Sequence, residues 1–264
     1  MILCACQSCK DQVIKNDIFC KKHLIEYKKN EFGISLHLEQ EWLNSLPIKG
    51  KLIILCGPSG VGKTLVLEKI RKTEKNLNHN LSDKIFSVTT RNQRIKELDN
   101  FEYEFIDQEI YDSAENNNLF LISKKIYNNY YGLPAIRIIR ELVLGKIIII
   151  SLHQSVIKEL KQKLSNVPIF CMYFLPPSYR VLELRQLHRL TNIEGLECLD
   201  SKKIIKKSNF DIENRLTRAT EEINEYKKEL KKLFDYKLIF GNNEKPLELT
   251  SLEEIKELIN TFIG

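Results

Sequence analysis

The sequence lacks a run of about eighteen consecutive apolar residues, the length a helix needs to cross a bilayer core. A membrane-spanning helix is therefore not expected. The opening Met1 to Cys6 turns polar at Gln7, too soon for the apolar centre of a secretory leader. The expected location is cytoplasmic, with no membrane partner. A large excess of one charge sign is also absent. Lys and Arg number 41 against 35 Asp and Glu, a net +6. That excess suits phosphate-bearing ligands and is too small to argue for nucleic-acid binding on its own. No internal repeat is evident. Of seven cysteines, four crowd into the first twenty residues. In a chain expected to be intracellular, such crowding favours a metal over disulfides.

What is present is led by Gly57, Pro58, Ser59, Gly60, Val61, Gly62, Lys63 and Thr64. The spacing G-x-x-x-x-G-K-S/T is that of the phosphate-binding P-loop. An apolar run, Lys51 to Cys56, leads into it, and a helical pattern, Leu65 to Ile70, leads out. Glycines let the backbone turn tightly and aim successive N–H groups at phosphate oxygens. The following helix adds its positive end. Lys63 is expected on the β- and γ-phosphates of ATP, and Thr64 on Mg²⁺.

Residues 4–23 read CACQSCKDQVIKNDIFCKKH. Cys6 and Cys9 form one C-x-x-C pair, and Cys20 with His23 a second. Cys4 could stand in for Cys6. Three thiolates and one imidazole suit a tetrahedral Zn²⁺. Too few apolar residues occur here to build a core, so the segment needs a staple to fold. Four protein ligands close such a site, which makes its expected role structural. The segment resembles the small Cys/His knuckles attached to many nucleic-acid and phage proteins, and on that ground residues 1–26 are a candidate docking element for a protein or nucleic acid. Residues 27–50 then form a helical connector. Leu36, Leu38, Trp42, Leu43 and Leu46 are available to one face, and Pro47 ends it.

From Lys51 strands and helices alternate. The strand candidates are 51–56, 84–88, 119–123, 146–152, 167–175 and 236–240. The helix candidates are 63–75, 108–117, 134–144, 154–164, 177–189, 211–234 and 250–262. Continuous apolar strands such as Ile147 to Ile150 suit a parallel sheet covered on both faces. The expectation is an α/β three-layer fold with ligands beyond the carboxyl ends of the strands. Residues 89–106 are polar with short alternating runs, like a small excursion. Residues 190–210 are polar and basic, with Lys202, Lys203, Lys206 and Lys207. They read as a solvated loop, or more sharply as a mobile lid over phosphates.

A second phosphate grip is also legible. Arg91 and Arg94 can fork onto one phosphate dianion. Tyr103 and Tyr131 can add neutral donors. A phosphoryl-transfer enzyme must hold two anions in line, so a P-loop with a second anion site is its expected equipment.

These segments together resemble the guanylate kinase family, over about residues 51–263. The P-loop matches. S-x-T-T-R-x-x-R is present as Ser87, Thr89, Thr90, Arg91 and Arg94. E-x-D-G-x-x-Y-x-F is present as Glu97, Asp99, Tyr103 and Phe105, with Asn100 for glycine. N-Y-Y-G is Asn129 to Gly132. Gly145-Lys146 and Pro176-Pro177-Ser178 follow in order. The lid pattern appears as Arg185, Arg189 and Thr191 with Leu190 for glycine, and Ile212 to Leu216 carries Arg215. The resemblance implies a P-loop NTPase fold on residues 51–264. An acceptor-binding part covers about 87–133 and a lid about 189–215. It also implies transfer of the ATP γ-phosphoryl to a nucleoside 5′-monophosphate, with GMP or dGMP as family default. Ser87, Arg91, Arg94, Tyr103 and Tyr131 would hold the acceptor phosphate. Arg189 and Arg215 would reach the transferring group.

Three further departures from the family concern the base and the strand end. Ile122 stands where a glutamate reads guanine, and Leu133 where a Ser or Thr hydroxyl does. The strand end usually carrying I-D-x-Q-G reads Ile150-Ser151-Leu152-His153-Gln154-Ser155, with no carboxylate in sequence until Glu159. The phosphate grip is kept while the groups that read the base are replaced. Two other readings follow: a kinase of a non-guanine acceptor such as ribose 1,5-bisphosphate, and a catalytically impaired binding module.

Overall fold

The apolar run before the glycine-rich loop forms strand β1 (Lys51–Cys56), with Leu52 to Cys56 all fully buried. A strand apolar on both faces must be covered on both faces, which sets a layered α/β architecture. The structure, a computed structural model, describes residues 40–74, 80–82, 87–93, 102–191, 201–239 and 249–264. Among them, helix α1 (Gln40–Ser45) precedes β1, and α2 (Lys63–Glu74) follows the loop. β2 (Ser87–Thr89), β3 (Tyr103–Phe105), α3 (Gln108–Asn116), β4 (Phe120–Ile126), β5 (Asn129–Pro134) and α4 (Ala135–Val143) come next. After them run β6 (Ile147–Ser151), α5 (Ile157–Lys163), β7 (Ile169–Leu175), α6 (Tyr179–Thr191), α7 (Ser201–Glu225), β8 (Tyr236–Ile239) and α8 (Leu249–Ile263).

One four-stranded sheet has the order β6-β1-β7-β8, with β8 parallel to β7. A second has the order β3-β2-β5-β4 and is mixed: β2 runs parallel to β3 and antiparallel to β5, and β5 is antiparallel to β4. The chain divides into two compact units. One comprises Met1–Ile53, Arg71–Ile150 and Ser155–Ile169; the other comprises Ile54–Ile70, Ser151–Gln154 and Phe170–Gly264.

In the first unit α4 is buried along nearly its whole length. Its two buried ionic side chains each have a polar partner. Arg137 pairs with Glu104 at 2.6 Å, and Glu141 accepts from the Ser82 hydroxyl at 2.9 Å. A buried charge without a partner would be strongly destabilising. Leu43 and Leu46 of the connector region are buried in the same unit, and Asn166 donates to the Leu43 carbonyl. In the second unit Tyr173, Phe174 and Leu182 are fully buried. The stacked rings of Tyr173 and Tyr226 lie 3.7 Å apart.

Several expectations need correction. The polar excursion after residue 89 contributes β3 to a real sheet, and β5 was not anticipated at all. Three-residue β3 gives too little alternation to register as a period, and β5 carries Asn129, Gly132 and Pro134, residue types depleted in strands. The lysine-rich stretch is not a loop over its described part. Lys202, Lys203, Lys206 and Lys207 lie on α7, which begins ten residues before the expected 211. No Gly or Pro interrupts 201–225, and lysine is a good helix former, so polarity alone misled. The same helix ends at Glu225, not 234. A π-turn (Tyr226–Leu230) and a 3₁₀ turn (Lys231–Leu233) follow. The helix expected from 154 begins with a 3₁₀ turn, Gln154–Val156, before α5.

Candidate functional site

The second unit carries the P-loop. Gly57 has φ +135°, and a Cβ there would lie 2.4 Å from the carbonyl oxygen of Phe174 on β7. Only glycine lets the chain leave β1 so close to its neighbour. At Gly60, φ +88°, a Cβ would lie 2.4 Å from Nε2 of Gln186. Lys63 opens α2 and folds back over the loop. Its ammonium donates to the carbonyls of Gly57 at 2.5 Å and Pro58 at 3.1 Å. Thr64, one residue on, is exposed.

Helix α6 braces this loop. Gln186 donates from Nε2 to the Ser59 carbonyl at 2.6 Å, and Arg185 donates from Nη1 to the Val61 carbonyl at 3.1 Å. Burial pulls the Arg185 pKa down from its ordinary value, yet guanidinium stays charged at any ordinary pH. From α7, Arg215 donates from Nη1 to Oε1 of Gln186 at 3.4 Å. Arg189 lies on α6, but its side chain is outside the described residues.

The first unit carries the residues expected from the sequence to grip an acceptor phosphate. Ser87 and Thr89 of β2 pair in register with Tyr103 and Phe105 of β3, and Thr89 pairs with Tyr131 of β5. Alternation puts all five on one face. The rings of Tyr103 and Tyr131 meet edge to face, centroids 5.8 Å apart. The Arg91 guanidinium carbon stands 5.7 Å from the Tyr103 ring centre and 5.2 Å from that of Phe105. Such cation–π contacts hold an arginine while leaving in-plane donors for an anion. The two threonines before Arg91 have a structural task. Thr89 Oγ1 donates to the Tyr130 carbonyl at 2.9 Å and accepts from Arg91 N–H at 3.1 Å. Thr90 Oγ1 accepts from Tyr130 N–H at 3.0 Å. Side chains thus continue the β2–β5 pairing past its last residue and fix where Arg91 leaves the strand. Ser87 is 4% exposed. Arg94 lies outside the described residues, as do Cys6, Cys9, Cys20 and His23.

At the end of β6 the sequence offers no carboxylate, but folding brings two to the following segment. Gln154 donates to the Glu222 carbonyl at 2.9 Å and to the carboxylate of Glu225, and accepts from the Tyr173 hydroxyl at 2.8 Å. His153 Nε2 stands 3.6 Å from Oε1 of Glu222. Sequence reading missed these because Glu222 lies about seventy residues further along the chain. It also missed Gln186. The signal there was spacing: Gln186 follows buried Leu182 by four positions, and a polar residue at a core-facing position must have partners.

The loop fits a nucleotide triphosphate: glycines keep the cradle open, and Lys63 is already turned toward it. For Mg²⁺ the fit is that of an exposed threonine hydroxyl at a helix start. No cluster of three or more His, Cys, Asp or Glu suited to a metal occurs among the described residues. Mg²⁺ commonly completes its shell with water and phosphate oxygens, so one protein oxygen suffices.

Fold and loop define an α/β protein of the P-loop nucleotide-binding class. The guanylate kinase family model matches residues 49–260. Guanylate kinase of Carboxydothermus hydrogenoformans is 35% identical over 150 residues, 56% of this chain and 69% of that one. Guanylate kinase of Rickettsia prowazekii is 31% identical over 173 residues, 66% of this chain and 80% of that one. The crystal structure of guanylate kinase from Anaplasma phagocytophilum shares the fold, with TM-score 0.56 and 18% identity, covering 82% of this chain and 87% of that one. The chain belongs to the guanylate kinase family.

Proposed function

We propose that this protein transfers the γ-phosphoryl group of ATP to a nucleoside 5′-monophosphate, with GMP or dGMP as the default acceptor. The observation that carries this reading is the acceptor grip, in which Arg91, Tyr103 and Tyr131 share one face of a sheet separate from the P-loop. A protein that only bound ATP would have no use for a second anion site. The relatives are named guanylate kinases, which favours neither a ribose 1,5-bisphosphate kinase nor an impaired binding module.

In this reading the P-loop N–H groups and Lys63 hold the β- and γ-phosphates. Arg91, Tyr103 and Tyr131, joined by Ser87 and Arg94, hold the acceptor phosphate in line. An acceptor oxygen bonds to the γ-phosphorus as the bond to the β-bridging oxygen breaks, leaving ADP. Arg189 and Arg215 balance the charge that spreads over the transferring group. Mg²⁺, bound with Thr64, supplies further neutralisation of phosphate charge. The Cys6, Cys9, Cys20 and His23 set adds a structural Zn²⁺ outside the catalytic domain, and through it the chain gains a docking element for a protein or nucleic acid.

The test is an acceptor screen with ATP and Mg²⁺ across nucleoside and deoxynucleoside monophosphates and ribose 1,5-bisphosphate. ADP formation with GMP or dGMP is expected. ATP binding without turnover on any acceptor would defeat the reading.

A further inference from the structure

Gln186 of α6 joins the P-loop to Arg215 of α7 through a single functional group. It is fully buried, at 0% exposure. Its amide N–H₂ donates to the carbonyl of Ser59, at the apex of the loop, 2.6 Å away. Its amide oxygen accepts from Nη1 of Arg215, 3.4 Å away. Chemistry fixes this orientation. A backbone carbonyl only accepts and a guanidinium only donates, so the flipped amide would oppose two acceptors at one end and two donors at the other. Gly60 makes the contact reachable, because any Cβ there would occupy the amide's place. The preceding Arg185 binds the Val61 carbonyl, so two successive side chains of α6 hold the loop at alternate residues.

We propose that Gln186 is a positioning residue for phosphoryl transfer: its amide holds the guanidinium of Arg215 in fixed relation to the apex of the P-loop. The two hydrogen bonds differ in strength. The bond to Ser59 is short and anchors the amide to the loop. The bond to Arg215 is at the long limit for N–H···O. It places the guanidinium relative to the loop through a neutral acceptor. A neutral amide does this where a carboxylate would neutralise the arginine and a second cation would repel it. The inference rests on the proposed role of Arg215 in balancing the transferring phosphoryl.

The test is a double-mutant cycle on the full chain, with kcat for ATP plus GMP and ATP affinity measured for Gln186→Leu, Arg215→Ala and the double variant. Gln186→Met, closer in length, runs in parallel so that a folding defect in one variant does not stall the cycle. Gln186→Leu should lower kcat about tenfold, with ATP affinity changed less than about threefold. In the Arg215→Ala background the same substitution should lower kcat no further. A purely structural glutamine gives equal losses in both backgrounds, and that result overturns the proposal while leaving Arg215's role intact. An Arg215→Ala protein with full activity removes that role, and the positioning proposal falls with it.

Discussion

Ile122 of β4 and Leu133 of β5 are cross-strand partners in register, 2% and 3% exposed. Leu133 lies two residues from Tyr131 on the same strand, so the apolar pair continues the face that carries the acceptor tyrosine. These are the two positions at which the resemblance to the family leads one to expect polar groups for guanine.

Base discrimination should therefore be weak. Losing a charged hydrogen-bonding partner forfeits about 1.5–3 kcal/mol of preference for the correct base. Melting-temperature shifts with GMP, AMP, CMP and UMP are expected to lie close together, because phosphate and sugar supply most of the binding. Ile122→Glu should widen the gap in favour of GMP and lower the melting temperature of the ligand-free protein, since it buries a carboxylate. A shift with GMP alone in the unaltered chain would contradict this.

Lys63→Ala should reduce ATP turnover by on the order of a hundredfold or more. Its effect on stability should be modest, because it releases only two neutral, part-buried carbonyls, those of Gly57 and Pro58. Steady-state turnover with GMP and a thermal melt separate the two effects. Turnover equal to the unaltered chain would remove the loop from the mechanism.

Much of this was legible from the sequence, for physical reasons. β1 and α2 were found within a residue because a buried run, a glycine loop and a helix start each leave a local mark. Arg91, Tyr103 and Tyr131 were named from the motif, but their meeting on one face depends on pairing among three strands far apart in sequence. Gln186 and Glu222 were not named, because a single polar side chain at a core position has no pattern of its own. The start of α7 was lost because a lysine-rich stretch looks alike in solvent whether coiled or helical.

Thr89→Val tests the stitch between β2 and β5. Valine keeps the volume and removes the hydroxyl, leaving the Tyr130 carbonyl and the Arg91 N–H without their side-chain partner. At a fully buried site this should destabilise by about 1–3 kcal/mol. Because Arg91 is then less fixed, KM for the acceptor should rise more than KM for ATP. Equal changes in the two constants would assign Thr89 to stability alone.

Alkaline pH offers a further check. Burial pushes the Tyr173 phenol well above its ordinary value, with the Glu222 carboxylate adding to the effect. A phenol held neutral in the fold, but titrating near about 10 when unfolded, favours the folded state below that pH and loses its contribution as pH rises past it. Denaturant unfolding from pH 8 to 11 should show stability falling in the upper part of that range. Tyr173→Phe should flatten the fall while lowering stability at pH 8 through the lost bond to Gln154.

Metal analysis of protein purified without chelators should find about one zinc per chain, and Cys9→Ser with Cys20→Ser should abolish it. Kinase activity of that variant should persist, since the zinc is assigned to the segment before the catalytic domain. Zinc-free protein from such a preparation would end the assignment.

The ammonium of Lys63, resting on two carbonyls of its own loop, makes nucleotide capture an exchange rather than an addition. An entering phosphate gives the lysine a full anionic partner in place of two neutral dipoles, and it must return those dipoles to water. A nucleoside without phosphates has nothing to offer in that trade. On the proposed function, the loop should therefore discriminate against unphosphorylated look-alikes whatever their base.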